Sequence, residues 1–299
     1  AKSSGYLTAS NIATSNTTAS SGVLVGGILT AGGALTIKGV SASGWGIQNS
    51  SAYTLTAGAS DLTLVGIGAH GIYQMGSLIA TSGNIAVSAL ARSSSWSYYA
   101  ASGVQKNYIA LGNIDLNSYS TTYSNAFYIS NILMRTATGD ITLSARGGVN
   151  GNGTVHQATY LEGVVINAGG NFTIQGATNT DGIATAAPGT ASSNTLAHYG
   201  VHFASTASLA YGGTTYTGYK AAGNISIAGS STSSYGIYIA APIASNAGSV
   251  SITGTSTSGY GVTSTSAGTI TGATGVALYG VGSAGSITTA ALVRNTGLT

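Results

Sequence analysis

The feature that most constrains this chain is a five-residue pattern that recurs along most of its length. Each copy has a glycine, a small or polar residue, an aliphatic residue, a Ser/Thr-like residue and a second aliphatic residue. The copies are GALTI at Gly33, GNIAV at Gly83, GNIDL at Gly112, GDITL at Gly139, GNFTI at Gly170, GNISI at Gly223, GSVSI at Gly248, GTITG at Gly268 and GSITT at Gly285, with SDLTL at Ser60 lacking the glycine. Most periods are roughly 25 residues long. Internal repeats of this length are typical of arrays in which one structural unit stacks on the next.

A second strand-like unit follows the first in most periods and often carries an aromatic residue. Its copies are GIYQM at Gly71, GVVIN at Gly163, GVHFA at Gly200 and GIYIA at Gly236, the looser GWGIQ at Gly44, GVTST at Gly261 and GVALY at Gly275, and NAFYI over 125–129. Both units alternate aliphatic with polar residues, which is the period of a half-buried strand, and no segment keeps a helical apolar spacing beyond two turns. The pattern predicts an all-β parallel β-helix (solenoid) of roughly ten coils, stacked about 4.8 Å apart.

Three segments break the regularity. The prediction is a single solenoid domain over 1–299, with insertions near 145–161, 175–199 and 207–222 that project as loops or extra strands. Insertions of this kind usually mark the face of a repeat protein that binds a partner.

Composition excludes several classes of protein. Charged residues make up only 4% of the chain, and the eight Lys and Arg residues are scattered singly, so no phosphate-neutralising patch for nucleic acid is expected. The absence of cysteine excludes disulfides and thiolate metal sites. No apolar run is long enough for a membrane-spanning helix. The enrichment in Gly, Ser, Thr and Asn instead favours a secreted protein, outside the cell or on its surface.

The GNITI-like unit followed by a YGIYI-like unit resembles the repeats of filamentous-haemagglutinin-like exoproteins and other large bacterial β-helical adhesins. The resemblance extends from about Gly22 to Thr289. It implies secretion, a right-handed parallel β-helix and a role in attachment or self-association. The chain departs from that group in its small size and in lacking the secretion domain expected at an adhesin's amino end, which favours a short repeating subunit or a fragment.

Chemistry-bearing side chains are few and dispersed. The carboxylates are Asp61, Asp115, Asp140, Glu162 and Asp181, no two of them close in sequence. Asp61 and Asp140 occupy the second position of the first unit, where Asn stands in other copies, so an outward Asn/Asp ladder is expected. His198 and His202 would be too far apart on a strand to share one ion. We therefore expect no catalytic residue, no cofactor and no metal, although two carboxylates meeting across coils would leave a polysaccharide-active enzyme open.

Outward Ser and Thr recur in the first unit, which makes ice binding a less favoured alternative. The uneven period and the interruptions at Ala86 and Asp115 argue against it. Tyrosine is unusually common, with 18 residues against three phenylalanines. Tyrosine offers a rigid amphipathic contact surface. The candidate contact residues are Tyr98, Tyr99, Tyr211, Tyr216 and Tyr219.

The ends of a solenoid are open sheet edges that monomeric solenoids usually cap. Neither Ala1–Ser21 nor Leu292–Thr299 resembles a cap, so we expect head-to-tail assembly of identical copies into an extracellular filament. The alternative is an adhesin or carbohydrate-binding rod that uses the tyrosine-bearing insertions to contact surface glycans or other cells.

Overall fold

The computed structural model describes residues 12–16, 21–92, 96–120, 125–147, 158–177, 199–205, 207–232, 234–290 and 292–296. Every regular element in these ranges is a β-strand. In chain order the strands are β1 (Ile12–Asn16), β2 (Ser21–Leu24), β3 (Leu29–Ala31), β4 (Leu35–Ser41), β5 (Trp45–Asn49), β6 (Leu55–Ala57), β7 (Leu62–Gly68), β8 (His70–Gln74), β9 (Leu78–Ala80), β10 (Ile85–Ala91), β11 (Tyr98–Ala110), β12 (Ile114–Ser120), β13 (Phe127–Thr136), β14 (Ile141–Arg146), β15 (Thr159–Glu162), β16 (Val165–Ala168), β17 (Phe172–Ala177), β18 (Val201–Ser205), β19 (Ser208–Tyr211), β20 (Thr214–Thr217), β21 (Tyr219–Ala221), β22 (Ile225–Ser231), β23 (Ile237–Ile239), β24 (Ile243–Ser245), β25 (Ser249–Ser256), β26 (Tyr260–Ser264), β27 (Ile270–Gly272), β28 (Gly275–Gly282), β29 (Gly285–Thr289) and β30 (Val293–Asn295).

All of these strands except β19 and β20 form three parallel stacks, one on each side of the coil. The first stack is a ten-stranded sheet in the order β1, β4, β7, β10, β12, β14, β17, β22, β25 and β28. The second runs β2, β5, β8, β11, β13, β15, β18, β23, β26 and β29. The third runs β3, β6, β9, β11, β13, β16, β21, β24, β27 and β30, because the long strands β11 and β13 continue through a corner into it. The predicted β-solenoid is confirmed, with about nine turns.

The core is a set of aliphatic rows that run along the rod. Strand β12 alternates buried and outward residues over its whole length, and Ile114 lies in register with Ile85 on one side and Ile141 on the other. The neighbouring row places Leu116 between Val87 and Leu143. Each coil therefore supplies one layer of a continuous core that only stacking can bury.

The Asn or Asp side chain of the first unit in one coil fits against the motif glycine of the next coil. The Oδ1 atom of Asn84 accepts a hydrogen bond from the backbone N–H of Asn113 at 2.7 Å, and Asn113 does the same for Asp140 at 2.9 Å. A Cβ atom on Gly112 would lie 2.3 Å from that Asn84 oxygen. The expected Asn/Asp ladder is thus confirmed, and the motif glycine leaves the space that the side chain below it fills.

A second set of glycines lies where the first and second stacks approach. At Gly229 a Cβ atom would stand 2.3 Å from the carbonyl oxygen of Gly236. Gly229 is in register with Gly176 and Gly254. Larger residues at these positions would push the two stacks apart.

Some repeat assignments were wrong near the C-terminus and at one insertion. The pattern at Gly268 was assigned to the first unit but forms β27 of the third stack, and that at Gly285 forms β29 of the second. Conversely, the pattern at Gly275 forms β28 of the first stack, and that at Gly163 leads into β16 of the third. Aliphatic and polar residues alternate in the same way in all three stacks, so the alternation does not show to which stack a strand belongs.

The three expected insertions differ in how much of each the structure describes. Most of 145–161 and 175–199 lies outside the described residues, but both segments connect a first-stack strand to a second-stack strand. The 207–222 segment contains two strands that are additional to the coil and pack on Ile109, Leu133 and Val165. Its strands β19 and β20 form an antiparallel hairpin, and β21 belongs to the third stack.

Candidate functional site

Two of the five candidate contact tyrosines lie in the core and are not part of any surface. Tyr98 and Tyr219 are both 0% exposed. The hydroxyl of Tyr98 is 2.7 Å from that of Tyr108, so these two buried phenols satisfy each other. Burial raises the pKa of Tyr98 well above its usual value. The contact prediction is therefore wrong for Tyr98 and Tyr219, because both begin strands with their side chains directed inward.

Tyr211 and Tyr216 lie on the β19–β20 hairpin and hold it against the rod. They are half-buried and pack on a small apolar cluster of Ile109, Leu133, Val165 and Leu209. The guanidinium carbon of Arg135 lies 5.9 Å from the centroid of the Tyr216 ring, within the range of a cation–π contact. The amide of Gln105 also donates to the carbonyl of Ala210 at 2.7 Å. Much of the surface of these two rings is thus used within the molecule.

Tyr99 belongs to a ladder of aromatic rings on the outer face of the second stack. Its register partners are Tyr73 in the coil before and Tyr128 in the coil after. We call the whole set the aromatic ladder. Its members are Trp45, His70, Tyr73, Trp96, Tyr99, Tyr128, Tyr160, Tyr199, His202, Tyr235, Tyr238 and Tyr260.

Part of the ladder is stacked face to face. Tyr73 and Tyr99 have centroids 5.1 Å apart and planes within 4°, and Tyr99 and Tyr128 are 5.2 Å apart within 9°. Elsewhere rings meet edge to face, as Tyr160 and His202 do. All members are half-buried. Where the rings are stacked they cover each other's faces, so solvent meets mainly ring edges and hydroxyl groups.

Burial keeps three rings of the ladder uncharged. It raises the pKa of Tyr160 to about 12, with a further contribution from Glu162, and that of Tyr199 to about 12. Burial lowers the pKa of His202 to about 4. Tyr160, Tyr199 and His202 are therefore neutral at physiological pH.

Sequence reasoning missed the ladder, although its signal is present. The third residue of the second unit is aromatic or His in GIYQM, GVHFA and GIYIA, which places Tyr73, His202 and Tyr238 in one outward row. The intervening loops vary in length, so the row becomes visible only once the coils are in register.

A shallow groove runs along the outer face of the first stack. Two overlapping sections of about 480 and 280 Å³ share Arg146 and Gln175. One section has an apolar floor of Val65, Ile67 and Leu90. The other is lined by hydroxyl-bearing residues, including Thr253 and Thr255. From β7 to β25 the groove crosses seven coils, about 29 Å at the usual strand spacing.

The charge in the groove is a single cation. Arg146 is exposed at its centre. Asp115 lies on β12, the strand next to β14, which carries Arg146. The register partner of Asp115 is Thr142, so its carboxylate is not directly opposite Arg146. The groove includes the last residues of β14 and β17, Arg146 and Ala177. Tyr119, which precedes Arg146 in the same outward row, adds an amphipathic ring beside it.

Within the described ranges the carboxylates and imidazoles form no cluster of three or more. Asp61 and Asp140 each accept a backbone N–H bond in the Asn/Asp ladder. Among the residues that the structure describes, no group of three or more His, Asp or Glu side chains could hold a metal ion. His198 lies outside the described residues, and His202 packs against Tyr160, Tyr199 and Tyr238.

The C-terminal coil leaves apolar side chains uncovered. Strands β28, β29 and β30 each pair with a strand on one side only, within the described part of the chain. Ile287 is 39% exposed and Val293 is 40% exposed, although their register partners Val262 and Ile270 are buried. At the opposite end of the rod, Leu24 and Ile28 are also exposed.

Comparisons with known proteins give no relative. No family model matches the chain, and neither the curated proteins nor the solved structures contain a match. In the described ranges no helix is long and apolar enough to cross a membrane.

Proposed function

We propose that the protein is a structural subunit of a filament outside the cell or on its surface, and that it assembles head to tail through the ends of its solenoid. The observation that carries this proposal is the open edge of β28–β30. Within the described residues its strands pair on one side only, and Ile287 and Val293, whose register partners Val262 and Ile270 are buried, are themselves exposed. Such an edge is a template for pairing with another chain.

A second copy of the chain is the partner that fits this edge. The edge is parallel and three-sided, so it needs an incoming coil with three strands in the same directions. The described residues contain one matching edge, on the far side of β1, β2 and β3, which pair with β4, β5 and β6 only. Joining these two edges makes a contact that does not close on itself and therefore extends.

The low charge of the chain supports the same proposal. With five acidic and eight basic residues in 299, little repulsion opposes the approach of copies. The Ser/Thr/Asn-rich outer surface also agrees with an extracellular location.

The test is to block each end separately. Ile287→Lys places a charge on the C-terminal edge and Ile28→Lys on the other end, whereas Val104→Lys changes an equally apolar residue on the side of the rod, 67% exposed. We expect the wild type and Val104→Lys to form rods that lengthen with concentration in sedimentation and negative-stain images. Each end variant alone should stay monomeric, and an equimolar mixture of the two should stop at dimers. Dispersed wild-type monomers at high concentration would refute the proposal.

A second candidate is a carbohydrate-binding rod, and the groove favours it. A linear polysaccharide lying along the axis would contact the apolar floor, the ring of Tyr119 and the hydroxyl-bearing end in succession. Arg146 would bind a carboxylate or sulfate group of an anionic chain through a charge-assisted hydrogen bond.

Oligogalacturonate and its methyl ester provide matched probes for this candidate, because esterification removes the carboxylate charge and leaves the sugar backbone unchanged. We expect Arg146→Gln to weaken oligogalacturonate binding by about tenfold or more in calorimetry. Lys220→Gln removes the same charge from an exposed position in the third stack, and we expect it to leave binding unchanged. Equal binding of the methyl ester, or an equal effect of Lys220→Gln, would count against the candidate.

A further inference from the structure

The aromatic ladder contains tyrosines that are both paired and accessible. Tyr73, Tyr99 and Tyr128 come from three successive coils, with parallel neighbouring rings 5.1 and 5.2 Å apart. All three side chains are half-buried, so their edges reach solvent. Tyr199 and Tyr235 form a second pair of this kind, with centroids 5.2 Å apart, planes within 10° and both side chains half-buried. Three further tyrosines each meet only one of the two conditions. Tyr98 and Tyr108 are paired but fully buried, and Tyr279 is 60% exposed with no ring neighbour among the described residues.

We propose that Tyr73, Tyr99 and Tyr128 are a modification site at which one-electron oxidation joins neighbouring coils through dityrosine bonds. The co-reactant is hydrogen peroxide used by a haem peroxidase. The chain has no cysteine, so disulfides cannot link its coils. Aromatic coupling is a covalent alternative that this surface makes available.

The chemistry balances with one peroxide for each bond. Each phenol loses one electron and its hydroxyl proton to the oxidant and becomes a phenoxyl radical. Two radicals join through the ring carbons ortho to oxygen, and the hydrogen on each of these carbons moves to the oxygen, which restores both aromatic rings. Two phenols and one hydrogen peroxide thus give one biphenol and two water molecules.

The register makes coupling between neighbouring coils feasible. Parallel partners in adjacent coils have backbones about 4.8 Å apart, and Tyr73, Tyr99 and Tyr128 are successive partners. The rings must turn from face-to-face to edge-to-edge about their Cβ–Cγ bonds. Outward, half-exposed side chains can make this turn without moving the backbone.

The positions of the basic residues allow the bonds to be assigned. Trypsin cleaves after Arg92, Lys106 and Arg135, which places Tyr73, Tyr99 and Tyr128 in three different peptides. After treatment of dilute protein with peroxidase and hydrogen peroxide, we expect dityrosine fluorescence in the monomer band. Mass spectrometry should then find peptide 93–106 joined to 39–92 and to 107–135, each pair lighter by two hydrogens than the sum of its parts.

Two conservative variants decide the assignment. Tyr99→Phe keeps the ring but cannot form a phenoxyl radical, so both joined pairs should disappear. Tyr279→Phe removes a more exposed phenol and should leave both pairs in place. The midpoint of thermal unfolding should rise on treatment of the wild type and of Tyr279→Phe, but not of Tyr99→Phe. Cross-links found only between molecules, or pairs that persist in Tyr99→Phe, would overturn the proposal. Either result leaves the filament proposal untouched, because the ladder lies on the side of the rod.

Discussion

The coil in the middle of the rod and the coil at its C-terminal edge share one pattern but differ in their surroundings. In β12, Ile114 and Leu116 are fully buried, with register partners on both sides. In β28, Val276 and Leu278 occupy the same two rows, have partners in β25 alone within the described chain, and remain partly exposed. A coil therefore does not bury its own core. Its neighbours do, and at an open edge part of the apolar surface remains available for association.

The largest expected effect on stability comes from a matched pair of core truncations, one in each of the two coils. Leu116→Ala should cost about 2–5 kcal/mol, because it leaves a cavity enclosed by two coils. Leu278→Ala, at the same row position, should cost less than half as much, because its site is closed on one side only. Denaturant unfolding of dilute, unassembled protein measures both. Equal losses of unfolding free energy in the two variants would contradict the comparison.

A pH experiment tests the burial that neighbouring coils impose on His202. Burial lowers its pKa to about 4, whereas the unfolded chain titrates near 6.5. Above pH 6.5 both states are neutral and stability is complete. As the pH falls from about 6.5 towards 4, the unfolded state binds the proton first, so stability is lost, by about 2 kcal/mol at pH 5.

His202→Phe is the control, because it keeps an aromatic ring between Tyr160 and Tyr238 and removes the titration. Subtracting the unfolding free energy of His202→Phe from that of the wild type at each pH isolates the contribution of His202 titration. A difference that stays constant between pH 7 and pH 5 would mean that His202 is not held in a buried, neutral state.

Two glycine substitutions extend the comparison to the backbone. Gly229→Ala would place its Cβ atom 2.3 Å from a carbonyl oxygen of the second stack, and should cost about 1–3 kcal/mol. Gly275→Ala in the C-terminal coil meets nothing within 4 Å, so it should be neutral or stabilise by about 0.5 kcal/mol. Thermal unfolding separates the two, and a loss of stability in Gly275→Ala would show that the edge coil is more crowded than described.

The smallest expected effect distinguishes two kinds of buried tyrosine. Tyr98→Phe leaves the hydroxyl of Tyr108 without its 2.7 Å partner and should cost about 1 kcal/mol. The hydroxyl of Tyr219 is buried with no hydrogen-bond partner among the described residues. Tyr219→Phe should therefore be neutral or slightly stabilising. A larger loss of stability in Tyr219→Phe than in Tyr98→Phe would contradict the hydrogen-bonding described for the two hydroxyl groups.

The stacked architecture could be predicted from the sequence because the repeat unit encodes its own neighbours. Gly112 of GNIDL has to accommodate the side chain of Asn84 in the neighbouring coil. A glycine followed by Asn or Asp therefore indicates a contact between coils. Alternation likewise predicted that Thr36, Thr63 and Thr142 face outward, as they do.

The surfaces were harder to predict because they depend on register across loops of unequal length. Tyr98 and Tyr99 are adjacent in sequence, yet one is in the core and the other in the aromatic ladder. A shift of one residue exchanges the two faces of a strand. The groove around Arg146 likewise combines residues from β7 to β25, and no local pattern indicates it.

The central claim, that successive coils pair in parallel and in register, is tested most directly by engineered disulfides in this cysteine-free chain. Ser88 and Asn117 are outward partners in β10 and β12, with Cα atoms about 4.8 Å apart in such a pair, which is within the range of a disulfide. Ser144 lies one coil further on. We predict that Ser88→Cys with Asn117→Cys oxidises readily to an intrachain bond, while Ser88→Cys with Ser144→Cys does not. Failure of the first pair, or equal oxidation of both, would contradict the stacked solenoid.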